Sequence, residues 1–73
     1  MNMLVYRQLA MVYREMGHFQ KALLYIDQEM QIIKKYFPND ALKFSVNNYE
    51  QGYLRLKLGN LEEAESYMQE SLG

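Results

Sequence analysis

Residues 16–26 read MGHFQKALLYI and residues 58–68 read LGNLEEAESYM. Laid over one another, forty-two residues apart, they pair Gly17 with Gly59, Ala22 with Ala64 and Tyr25 with Tyr67. Apolar residues face apolar ones at Met16/Leu58, Phe19/Leu61 and Ile26/Met68. A chain of 73 residues that writes one phrase twice carries either a duplicated chemical site or a repeated structural unit. The pattern on either side decides between them.

Upstream of the first phrase, Met3, Tyr6, Leu9, Ala10, Tyr13 and Met16 recur at spacings of three and four, which sets them on one side of a helix. Arg7, Arg14, Gln8 and Glu15 take the other side. Gly17 reaches positive φ without steric cost, so it stops that helix and leaves a tight turn with His18. Phe19, Ala22, Ile26, Met30, Ile33 and Phe37 then form the stripe of a second, longer helix, with Lys34 and Lys35 at the negative end of its dipole. Pro38, which has no amide to donate, ends it, and Asn39 or Asp40 caps a third helix over Ala41 to Leu58. Gly59 closes that one. Asn60 with Glu63 three positions on has the spacing of a capping box, and Leu61, Ala64, Met68 and Leu72 stripe a fourth helix.

The repeated phrase therefore falls on the turn of each of two helical hairpins. Glycine serves the turn, alanine lets the helices approach, and the large residues at 19 and 61 close the base, so the phrase is scaffolding. A helix-turn-helix unit repeating at this period is the signature of a helical solenoid. Tyr6, Leu9, Ala10, Tyr13, Gly17, Phe19, Ala22 and Ile26, followed by Gly52, Gly59, Leu61, Ala64 and Met68, resemble the tetratricopeptide repeat family. The resemblance implies an all-α fold of two antiparallel hairpins in an α-solenoid, one domain over 1–73 with repeats at about 3–37 and 40–72. The period of about 42 rather than the family's 34 marks a long-period variant, and two repeats imply a fragment of a longer array or a homo-oligomer.

The third helix departs from the pattern. Leu42, Val46, Tyr49, Tyr53 and Leu56 share one face, while Asn48, Gln51 and Arg55 occupy positions that the family keeps apolar. Either the helix is rolled, or the glycine alignment is two residues out, so that the stripe packs on its own neighbours, or the stripe lies on the groove side of the solenoid. In the groove reading Val46, Tyr49, Tyr53 and Leu56 meet the first helix's Arg7, Met11 and Arg14. Tyrosine is a residue type enriched at binding hot spots, and two arginines beside it suit an acidic peptide. Met11 and Glu50 stand where the family's carboxylate clamp uses asparagines, which disfavours a chaperone-tail receptor.

Composition narrows the remaining classes. A net charge of −1, with eight basic residues scattered among nine acidic ones, offers no footprint for nucleic acid or anionic lipid. The absence of cysteine removes disulfides and thiolate metal sites, and neither a membrane-spanning run nor a signal-peptide layout is present. A cytoplasmic setting is expected. The single His18 sits in a turn without a base or nucleophile spaced to it, and Glu62, Glu63 and Glu65 are explained by the helix dipole. No catalytic, cofactor or metal residue is assigned. The expected function is a non-catalytic scaffold that binds another protein or peptide; the alternative is a sensor or oligomerisation segment of a larger bacterial peptide-responsive regulator.

Overall fold

A computed structural model describes residues 3–72 as four helices, α1 (Met3–Glu15), α2 (Phe19–Tyr36), α3 (Ala41–Lys57) and α4 (Leu61–Leu72). Among the described residues there is no strand. The α1/α2 and α3/α4 pairs are the hairpins, and α2 packs against α3 to join them. Leu72, assigned above to the α4 stripe, lies outside the residues whose side chains are described.

The two turns are built alike. Gly17 has φ 81° and Gly59 has φ 86°, the left-handed region. The amide of His18 donates to the carbonyl of Tyr13 at 2.9 Å and that of Asn60 to Arg55 at 2.8 Å. Gly17 donates to Arg14 and Gly59 to Leu56, completing a Schellman-type closure at each site. The capping box is not formed, because the Asn60 amide is already given to Arg55 and the Glu63 carboxylate accepts from the Arg55 guanidinium at 2.9 Å. Asp40, not Asn39, caps α3: its Oδ1 accepts from the backbone amide of Lys43 at 3.1 Å.

The apolar core is small: Ala10 from α1, Ala22, Leu23 and Ile26 from α2, and Leu54 from α3, with Phe19, Tyr13, Tyr25 and Tyr53 packed around them. Small residues set the closeness of the hairpins. A Cβ added at Gly52 would lie 2.8 Å from Met68 Cγ and 3.1 Å from the Ala64 carbonyl oxygen, so α3 and α4 meet there without a side chain between them. Phe19 packs against the core as expected, but Leu61 does not close the second hairpin; it is 63% exposed at the first turn of α4.

Polar residues complete the interior. Asn47, Asn48, Glu50 and Gln51 of α3 are all buried, as is Glu29 of α2. Helix α3 is thus seated as the repeat register places it, polar residues inside, and is not rolled. Burial of such groups is tolerable only when they are bonded. Arg7 Nε and Nη2 donate to the two oxygens of Glu29, each at 2.7 Å, and Asn47 Nδ2 donates to Glu29 Oε1 at 2.8 Å and to the Ile26 carbonyl at 3.0 Å. Gln51 Nε2 donates to Asn47 Oδ1, and Arg55 Nη2 to Gln51 Oε1. With Glu63 at its far end, this chain of bonds links all four helices. The placement of Arg7 and Arg14 on the face opposite the core is therefore corrected: both turn toward the neighbouring helices, where buried carboxylates pair with them.

Candidate functional site

The stripe on α3 is open. Leu42 is 73% exposed, Tyr49 50%, and Val46 and Leu56 nearly as much, although each is large and apolar. They recur at the spacing of one helical face, so their exposure is a property of the whole face and not of a frayed end. Tyr53 differs from its neighbours: it is half-buried, packs against the core and lies beneath the Arg14 guanidinium, 5.3 Å from ring centroid to Cζ. Tyr53 thus both supports the fold and borders the stripe.

Helix α1 supplies the opposite wall. Met3, Leu4, Ile33, Leu42 and Val46 line an almost wholly apolar hollow of about 260 Å³, with Lys43 and the Arg7–Glu29 pair also in its lining. Its size suits one or two apolar side chains. Met11 is half-buried against the core. Arg14 donates from Nη1 to both oxygens of Glu50, at 3.0 and 3.2 Å. The structure therefore brings Arg7 beside Val46 and Arg14 beside Tyr53, as the groove reading requires. Tyr49 and Leu56 stand free on the same α3 face.

The electrostatics differ from the expectation of an acidic ligand. That expectation needs uncommitted guanidinium groups, and both are committed. The hydrogen bonds that Arg7 donates to Glu29 hold the Arg7 pKa above its ordinary value, against a lowering by burial, so the pair stays charged and closed. Glu50, read from sequence only as the wrong residue for a carboxylate clamp, is the partner of Arg14. Sequence reasoning also missed Glu29 and Asn47, the centre of the polar chain. The available signal was the run Asn47-Asn48-Tyr49-Glu50-Gln51, a cluster of polar residues mid-helix where no cap or turn calls for them.

A larger hollow of about 890 Å³ lies between α2, α3 and α4, bordered by Asp27, Lys34, Asn48, Arg55, Glu63 and Tyr67. Its lining is about half polar, with Met30 and Phe44 among the residues there, and carries both signs of charge. Water satisfies such a surface, whereas the apolar stripe and its hollow gain free energy only when covered. The stripe is for that reason the candidate site. His18 is exposed at the turn, edge-on to the Tyr13 ring with no hydrogen bond from its side chain at the cap. Among the described residues no three His, Cys, Asp or Glu side chains converge as a metal site would require, and no helix is long and apolar enough to cross a membrane.

Residues 47–73 match the family model for the tetratricopeptide repeat. The match supports a tetratricopeptide repeat in that segment, the greater part of the α3/α4 hairpin, and the all-α pair of hairpins formed by the described residues is consistent with such a fold. Such repeats generally mediate contact between proteins and are typically non-catalytic scaffolds. The chain has no significant match among curated proteins or among solved structures.

Proposed function

We propose that this chain is a peptide- or protein-binding scaffold whose recognition surface is the α1/α3 face, with Leu42, Val46, Tyr49 and Leu56 as the contacts that a partner covers. The observation that carries the reading is the exposure of those four side chains along one face of α3, beside an apolar hollow. Four large apolar side chains in line match the i, i+4, i+7 spacing by which an amphipathic helix lays its apolar side into a groove. The partner is accordingly an amphipathic segment and not an acidic one, since Arg7 and Arg14 are neutralised from within. We read the chain as the long-period variety of the repeat, because each hydrogen bond around Gly17 has its counterpart around Gly59.

The test is selection of binders from a random peptide-display library on the purified chain, followed by affinity measurement with the selected peptides. Replacing Tyr49 or Leu56 by alanine should weaken binding by about 1–3 kcal/mol, the range of an interface hot spot. The melting curve should hold, since both side chains are about half-exposed. Raising salt from about 0.05 to 0.5 M should change affinity little, because the two arginines beside the stripe are already paired. Selected peptides that are uniformly acidic and released by salt would contradict the reading.

A further inference from the structure

The two ends of the α3 stripe differ in chemistry. At the Leu42 end lies the apolar hollow, with room for a large side chain. At the other end the exposed Lys57 holds its Nζ 5.5 Å from the centre of the Tyr53 ring, the same ring that Arg14 approaches. Of the cations that border the stripe, Arg7, Arg14 and Lys43 are each paired with a carboxylate, from Glu29, Glu50 and Asp40. Lys57 has no carboxylate partner among the described residues. Glu15, the last residue of α1, is turned to Arg14 at 3.9 Å. The recognition surface thus offers an apolar anchor point at one end and an uncommitted ammonium at the other.

We infer that the partner is a helix lying antiparallel to α3, with one acidic residue in its first turn against Lys57 and one large apolar residue, eleven or fourteen positions later, in the hollow. The inference rests on the reading of the stripe as the recognition surface. Its spacing follows from helix geometry. Val46 and Leu42, which line the hollow, precede Lys57 by eleven and fifteen residues, about 16 and 22 Å along α3. Positions i+11 and i+14 of a partner helix return to one face within about 40° and span about 16 and 21 Å, so one face of one helix makes both contacts. An extended segment would cover that distance in about six residues. The direction follows from the backbone dipoles. Arg14 and Lys57 stand in the last turns of α1 and α3 and meet at Tyr53, so both helices bring their negative ends here. A partner whose N-terminus lies at this end sets its positive end beside them, and an acid in its first turn is favoured both by its own dipole and by Lys57. Reversed, the partner would add a third negative end to the same place. A single exposed ion pair contributes at most about fivefold in affinity, so the partner needs one acid and not an acidic sequence, and the salt dependence stays shallow.

The test is a random display library of peptides about 18 residues long, enough for about five helical turns, selected on the whole chain. The binders should carry Asp or Glu eleven or fourteen positions before a Leu, Met or Phe. Lys57→Glu should weaken such a peptide about fivefold, and exchanging the peptide's acid for lysine should restore affinity to within about threefold, as expected for a direct pair. On the unaltered chain, a nitroxide at the peptide's N-terminus should broaden the amide signals of Lys57 and Leu58 more than those of Leu42 and Lys43. Binders that need Leu56 but show no acidic preference, that place the acid after the apolar residue, or that space the two by five or six residues would overturn this inference and leave the stripe as the site. Binders indifferent to both Tyr49→Ala and Leu56→Ala would overturn the inference together with the reading beneath it.

Discussion

Glu29 is the residue on which the polar interior converges. Its carboxylate, 3% exposed, accepts two bonds from Arg7 and one from Asn47, so it holds α1, α2 and α3 together at one point. Removing one partner of a buried pair leaves an uncompensated charge and costs about 3–5 kcal/mol. A domain this small has a total stability of about 5 kcal/mol. Glu29→Ala should therefore abolish the cooperative melt, whereas Arg7→Met with Glu29→Leu, which removes both charges, should recover much of it. A Glu29→Ala protein with a wild-type urea midpoint would show that the pair holds nothing. Asp40 contributes to the acid limb. Hydrogen bonds from Lys43 lower its pKa in the folded state, so its contribution to stability is present above the ordinary carboxylate range and is lost as pH falls through the folded value. Asp40→Asn, which keeps a capping oxygen, should melt like the parent near neutrality and lose less stability below about pH 4. Thermal melts across that range read the difference.

Within the elements, the turns and boundaries were legible because single residues cause them. Gly17, Pro38 and Gly59 each act through their own backbone, and the helices end within a residue or two of where those residues place them. The fate of the polar residues was not legible. Periodicity assigns a side chain to a face of its own helix but does not say which residue of another helix meets it, and Arg7–Glu29 and Arg14–Glu50 join positions far apart in the chain. The two hairpins also solve one packing problem differently. Tyr13 stacks on Tyr25 at 5.7 Å in the first, and in the second the Arg55 guanidinium covers Tyr67 at 4.7 Å, with its Nε buried and unpaired among the described residues. Both solutions keep the helices close, which Gly52 makes possible in α3/α4. Gly52→Ala adds about 0.8–1 kcal/mol of helix propensity. It also drives a methyl into Met68 and the Ala64 carbonyl, at an overpacking cost of about 1–3 kcal/mol, so a lower urea midpoint is expected. A stabilised variant would mean that the second hairpin is looser than its contacts imply.

At the scale of the molecule, the described residues form a thin body, 13 Å through its Cα atoms on the shortest axis. So few layers leave little interior, and the chain fills part of it with a bonded polar chain while leaving Leu42, Val46, Tyr49 and Leu56 outside. That inversion on α3 was visible in the sequence as a conflict with the repeat pattern; its resolution needed the partners of Asn47, Gln51 and Arg55. Local conflicts of this kind are expected at functional or strained sites more than elsewhere. The central claim is that the α3 stripe contributes to binding and not to the fold. It is tested most directly by measuring, on Tyr49→Ala/Leu56→Ala, both the urea midpoint and the affinity for library-selected peptides. The account predicts a midpoint within about 0.5 kcal/mol of the parent, as for other surface changes, with affinity lost by tenfold or more. A variant that binds as the parent does, or that unfolds at once, would contradict it.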